Sequence, residues 1–326
     1  MSTVLLTGAT GFIGAQVALR TLEAGHAIRF VVRREEQTTK LRTLFSKHAD
    51  KLSFVVIPDI TVSGSFDAAV QGVEYIIHVA SPLASAGGDL LKPAVQGTIS
   101  VLESALKAPS VKRVVVTASV ASLSSLERPA DGSVLREDNK VDFTIPSSET
   151  LATLPPFTQY HASKLASYKA VLDFQAAQTP AFEIVTIHPV FVFGRSLLQE
   201  TADELAGTNG LLFQALMTET NTAAHFSGVH VDDVAVAHVR ALTVGTVKKN
   251  AVQAYLLAAP KRSWKEVYDY VKREFPALPI KLVPVDQTSY EVDAGKARRE
   301  LGIEFRGMEV QVGEVVRQQL ELRGAA

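Results

Sequence analysis

Tyr160-His161-Ala162-Ser163-Lys164 combines residue types and spacing that suit proton-transfer chemistry. Residues four apart on a helix share one face, a turn apart, so a helix here sets Tyr160 beside Lys164. A tyrosine hydroxyl titrates near pKa ~10 and is a poor acid at neutral pH. A neighbouring ammonium stabilises a phenolate and lowers that value, which suits general acid catalysis at an oxygen gaining negative charge. A Tyr and a Lys at this spacing also arise by chance, so the weight comes from upstream. Val114-Val115-Val116-Thr117-Ala118-Ser119 reads as a buried strand ending in a hydroxyl. Ser119 is placed to hydrogen-bond a substrate oxygen. Ser122 is the fallback for that role, and Thr117 reads as structural.

These residues need a scaffold, and the apolar pattern supplies one. Short β-branched runs at 3–7, 28–32, 53–57, 75–79, 113–117, 183–188 and 254–258 read as strands. Helical stretches at 12–24, 35–47, 90–107, 160–177, 234–244 and 264–275 lie among them. Strands that are apolar at nearly every position suit a parallel sheet covered on both faces. The expected fold is α/β, a Rossmann-type doubly wound parallel sheet with a smaller, mixed C-terminal substrate lobe. Residues 1–189 with about 229–260 are assigned to the dinucleotide domain, and 190–228 with 261–326 to the lobe.

The turn Thr7-Gly8-Ala9-Thr10-Gly11-Phe12-Ile13-Gly14 joins the first strand to the first helix. Gly8 permits the tight turn, Gly11 lets the backbone approach a pyrophosphate, and Gly14 lets helix and strand pack closely. The helix N-terminus offers unpaired N–H groups to the phosphates. Bound this way, a nicotinamide dinucleotide would place its ribose within reach of Lys164. The second strand ends in Val31-Val32-Arg33-Arg34, where sites for NAD usually carry an acidic residue. Arg33 suits the 2′-phosphate of NADPH, and Lys40 is expected to add a second positive charge. Glu35 and Glu36 stand nearby and are the competing partners for a ribose. Asp59 and Ile60 follow the third strand and are expected at the adenine, although an Asp there also suits a plain turn. Val79, Ala80 and Ser81 follow the fourth strand and are expected beside the cofactor; His78 reads as a strand residue.

In this order the motifs resemble the extended short-chain dehydrogenases/reductases, essentially from end to end. The shared stretches are residues 7–14, 78–82, 117–119, 160–164, His188-Pro189-Val190-Phe191-Val192-Phe193-Gly194 and Val229-His230-Val231-Asp232-Asp233. Arg33, Lys40 and Pro58-Asp59-Ile60-Thr61 are similar to the dihydroflavonol reductase-like group within that family. The resemblance implies NADPH, a triad of Ser119, Tyr160 and Lys164, and hydride transfer to the carbonyl of an aldehyde or ketone. It also implies that Pro189 to Val192 lies along the nicotinamide. Two departures bear on the substrate: Asn139 stands where many relatives carry a Trp, and 143–157 is rich in Ser, Thr and Pro.

By position, Leu83, Val120, Phe191 and Phe226 are expected to line an apolar substrate pocket, with Phe213 equally readable as core. His225 is a weak candidate, and Asp232 or Asp233 reads as a helix cap. The alternatives are a sugar-nucleotide epimerase or dehydratase holding NAD, against which Arg33 argues, and a non-catalytic NADP-binding regulator, against which Tyr160 argues. The absence of Cys excludes thiolate catalysis and disulfides. A net charge of -1 gives no field for nucleic acid or anionic membrane. No His spacing suggests a metal, and no leader or apolar span is read at the N-terminus. A cytoplasmic monomer or homodimer acting on a small-molecule carbonyl is expected.

Overall fold

A computed structural model describes residues 2–81, 90–126, 133–219, 226–245, 247, 250–284 and 290–324. Its centre is a seven-stranded parallel sheet. The strands are β1 (Thr3–Thr7), β2 (Ala27–Val32), β3 (Leu52–Val56), β4 (Tyr75–His78) and β5 (Arg113–Thr117). Val134–Leu135 forms β6, followed by β7 (Glu183–Pro189), β8 (Phe191–Phe193), β9 (Gly228–His230), β10 (Val252–Leu257) and β11 (Glu291–Val292). The main sheet runs β10-β7-β5-β4-β1-β2-β3, with β11-β6 and β8-β9 as separate pairs. After β3 the chain returns to the other side of β1, so the order reverses between β1 and β4. Open α/β sheets bind ligands at the carboxyl ends of the strands flanking such a reversal.

Alternation along the strands builds two cores. Val4, Leu6, Val115 and Val185 face one side, while Leu5, Val114, Val116 and Ile184 face the other. That is the period-two geometry of a pleated strand buried on both faces. The helices are α1 (Phe12–Glu23), α2 (Gln37–Leu44), α3 (Leu91–Leu106), α4 (Ser148–Ala152) and α5 (Pro156–Gln178). Then come α6 (Gly207–Met217), α7 (Val231–Ala241), α8 (Trp264–Glu274), α9 (Gly295–Leu301) and α10 (Met308–Leu322). Helices α1 and α7 cover the first face and α3 and α5 the second. A separate apolar cluster joins Phe193 and Phe226 to α6, α8 and α10, which makes the smaller C-terminal lobe. Ala294, Ala297, Leu301 and Ile303 pack instead into the first core. Among the described residues, no helix is long and apolar enough to cross a membrane.

Among the boundaries that differ from expectation, the starts of two helices have a clear physical reason. Helix α5 opens at Pro156, not Tyr160, because proline is favoured at a first helical position, where its missing N–H loses nothing. It ends at Thr179 in the left-handed conformation (φ 40°). Helix α7 opens at Val231, and its cap is His230, whose Nδ1 accepts from the Asp232 N–H at 3.2 Å. Asp232 and Asp233 are therefore not the cap. Both are buried by cations: Asp232 accepts from Arg20, Arg306 and Gln16, and Asp233 from Arg306.

Candidate active site

Helix α5 carries Tyr160 and Lys164 one turn apart. The Lys164 ammonium sits 5.5 Å from the centre of the Tyr160 ring and donates to Ser81 Oγ at 2.8 Å. Ser81 follows β4, so this bond ties the helix to the edge of the sheet reversal. Lys164 is buried at 7% exposure, while Tyr160 is half-buried. Among the described residues the Tyr160 hydroxyl makes no hydrogen bond.

Ser119 ends the β5 run and caps a short turn at Val120–Leu123, its Oγ accepting from the Ala121 N–H at 3.2 Å. Its hydroxyl proton is left uncommitted among the described residues. Ser122 is different. It is fully buried, donates to the Ser119 carbonyl at 2.5 Å and lies 2.9 Å from His188 Nδ1. His188 in turn has Nδ1 at 3.0 Å from that carbonyl and Nε2 at 2.8 Å from Thr186 Oγ1. Burial pushes the His188 pKa down to about 3, so the ring is neutral. With Ser122 spending its proton on the carbonyl, Nδ1 carries the ring proton and Nε2 accepts from Thr186. The network holds the Ser119 backbone and, among the described residues, leaves the Ser119 hydroxyl proton uncommitted. His161 Nε2, on α5, donates to the Ser124 carbonyl at 2.7 Å and ties this turn to the helix of Tyr160.

The glycine turn has the shape of a dinucleotide cradle. Gly8 adopts φ 77°, and a Cβ there would meet the Ala80 N at 2.7 Å. A Cβ on Gly14 would run into the Gly8 carbonyl oxygen. The Gly11 N–H bonds the Gly8 carbonyl at 3.0 Å, and α1 begins without a side-chain cap or an acidic first turn. Thr10, Gly11, Phe12 and Ile13 thus present an uncapped, positive helix terminus, which fits a pyrophosphate. Thr7 Oγ1 accepts from the N–H groups of Val79 and Ala80, both at 3.1 Å, and so draws the β4 end against this turn.

The other expected residues fall as follows. The Arg33 guanidinium is exposed and makes no hydrogen bond or ion pair among the described residues. Lys40 is engaged: its ammonium is 2.9 Å from the Leu198 carbonyl and 2.9 Å from a Glu200 carboxylate oxygen. Asp59 is exposed and accepts from the Thr61 N–H and hydroxyl, at 2.8 and 2.7 Å, and these bonds hold its carboxyl below the usual range. Its carboxylate therefore closes a turn. Ile60 packs beside Gly97 on α3. Pro189 and Val192 are buried where β7 passes into β8, and Val120 is half-buried between two core clusters. Phe191 is exposed at 41% and stacks on Phe193. Phe226, also expected at the pocket wall, packs within the lobe cluster. It is 3% exposed, stacked on Phe193 at 5.2 Å and edge-on to Trp264 at 5.7 Å, which makes it lobe core. Phe213 is half-buried in the same cluster under Arg323. Leu83 and His225 lie outside the described residues.

Comparison with known proteins identifies the family. The sequence model of the NAD dependent epimerase/dehydratase family matches residues 4–254, from β1 into β10. The chain belongs to this family, the extended short-chain dehydrogenases/reductases. The ketoreductase sphI of Aspergillus fumigatus is 38% identical, covering 98% of this chain and 97% of its own. The ketoreductase CTB6 of Cercospora beticola is 32% identical, covering 98% of this chain and 96% of its own. The structure of Gre2 from Candida albicans in complex with NADPH superposes with a TM-score of 0.84 at 27% identity, covering 99% of each chain.

Within this extended reductase fold, the Ser122–His188–Thr186 network was not foreseen. The pairing of β5 with β7 brings its members together, and no local pattern announces that. Helix α10 had a readable signal, Val312, Val315, Val316 and Gln319 at helical spacing, all buried.

Proposed function

We propose that the chain is an NADPH-dependent reductase of aldehydes or ketones. Tyr160 is the general acid, Lys164 holds the cofactor ribose beside it, and Ser119 orients the substrate carbonyl. The observation that carries this reading is the buried Lys164 ammonium, facing the Tyr160 ring and tethered to Ser81 at the cofactor edge. When bound, NADPH supplies the hydride. The residues 8–14 turn would take its pyrophosphate on the open end of α1. Arg33, exposed and unpaired, would take the 2′-phosphate bidentately. Lys40 would join it only by exchanging its bond to Glu200. As the substrate carbonyl accepts hydride, its oxygen gains charge; the Ser119 hydroxyl donates to it and Tyr160 passes its proton to it.

The names of the ketoreductase relatives support carbonyl reduction, and the NADPH in the Candida Gre2 structure supports the cofactor. Arg33 in place of an acidic residue favours NADPH over the NAD of a sugar-nucleotide epimerase. The test is NADPH oxidation by the purified protein over diketones, β-keto esters, aldehydes and aryl ketones, with NADH in parallel. Turnover with NADPH well above NADH is expected. NADPH binding without turnover of any carbonyl, or purification with tightly held NAD, overturns the reading.

A further inference from the structure

Behind Lys164 lies a small cavity lined by His78, Ser81, Thr117, Lys164 and Ser167, among others, with room for the centre of about one water. The hydrogen bonds around it set the protonation of His78. Thr7 Oγ1 accepts from two backbone N–H groups, so its own proton goes to His78 Nδ1, 3.0 Å away. A neutral His78 with Nδ1 accepting must carry its proton on Nε2. Burial holds the ring neutral, with the charge of Lys164 adding to the effect. Nε2 is completely buried and has no partner among the described residues. His78 and Lys164 both line this one small space, and their N–H and ammonium groups are donors that cannot accept from each other.

The hydroxyls on the far wall are acceptors. His238 Nδ1 donates to the Val234 carbonyl at 2.7 Å, so its Nε2 accepts the Thr117 proton, also at 2.7 Å. Thr98 donates to the Ala94 carbonyl at 2.9 Å, so Ser167 donates to Thr98 at 3.1 Å. The oxygens of Thr117 and Ser167 keep lone pairs. Thr98, Tyr168 and Thr186 bring further hydroxyls to the lining, so a water that accepts from His78 and Lys164 finds acceptors for its own protons there.

We propose that His78, fixed as its Nε2–H tautomer, holds a single buried water that also accepts from Lys164, which makes His78 a positioning residue for the lysine. The effect on catalysis rests on the reductase reading; the water and the tautomer do not. The water occupies one ammonium proton, Ser81 takes another, and the third remains for the cofactor ribose.

The test has two arms. In the wild-type protein, a high-resolution crystal structure is expected to place a water within hydrogen-bond distance of His78 Nε2 and Lys164 Nζ. Ring ¹⁵N resonances are expected to report Nε2–H at pH 7. A dry cavity or an Nδ1–H ring overturns the proposal, whatever the enzyme turns over. In the second arm, His78→Leu is expected to lower kcat about tenfold, the loss of one hydrogen bond to a charged group, with KM for NADPH unchanged. His78→Gln restores a donor at the same place and is expected to recover most of the rate. Equal loss in both variants, with NADPH binding intact, overturns the positioning role.

Discussion

Acidification acts on this fold through three buried histidines, His78, His188 and His238, each exposed by 2% or less. Burial, the leading cause in each, pushes their pKa values down to about 4, about 3 and about 4. An unfolded histidine titrates near ~6.5. The unfolded chain therefore binds protons first as pH falls. The stability these residues contribute is fully present above pH ~6.5 and is lost as pH drops toward the folded values. At pH 5.5 the three together have lost about 4 kcal/mol. His26, lowered mainly by burial, acts in the same direction. The raised Glu137 opposes it, but carboxylates mostly titrate lower. A loss of this size is a large part of the roughly 5–15 kcal/mol that holds a native protein together. The assay is urea unfolding at pH 7.5 and 5.5, followed by circular dichroism and by the fluorescence of Trp264. The midpoint is expected to fall sharply at pH 5.5, and His238→Gln is expected to remove about a third of the fall. Equal midpoints at the two pH values, or histidine resonances that titrate near pH 6.5 in the folded protein, would refute the reasoning.

Two further substitutions separate the roles of the site residues. Ser119→Ala is expected to lower kcat about a hundredfold or more, as loss of an oxyanion donor does, and to destabilise the fold by only about 1 kcal/mol, for the lost turn cap. Ser122→Ala is expected to destabilise the fold by about 1–3 kcal/mol, because the buried His188 loses a partner; a Ser122→Ala protein that folds normally yet is inactive would reverse the assignment. Arg33→Ala is expected to lower the ratio of NADPH to NADH affinity at least about tenfold, the scale of a charged hydrogen bond. Titration of both cofactors by fluorescence checks this, and an unchanged ratio removes Arg33 from the 2′-phosphate.

The seven main strands were legible because each is a short apolar run between helical stretches, and the residues 7–14 turn was legible because its glycines are sterically required. The C-terminal lobe was less legible. Prolines and glycines interrupt its pattern, and β8, β9 and α6 owe their shape to packing among distant segments. Asp232 and Asp233 looked like caps because that is what Asp does locally. Their partners, Arg20 and Arg306, come from the first helix and from just before the last. Lys40 shows the same limit: its charge was visible, but Glu200, brought in by the chain beyond β8, was not. Ser119 was preferred to Ser122 on position alone, and the bonds that engage Ser122, to the Ser119 carbonyl and to His188 across the β5–β7 pair, were not visible in the sequence.

The most direct test of the proposed chemistry is single-turnover oxidation of bound NADPH by an excess of a carbonyl substrate, comparing wild type with Tyr160→Phe. Removing only the phenol proton is expected to leave the dissociation constant for NADPH unchanged and to slow hydride transfer at least about a hundredfold, the scale of general acid catalysis. Hydride transfer at the wild-type rate in Tyr160→Phe, with NADPH bound equally well, would contradict the assignment of Tyr160 and with it the mechanism.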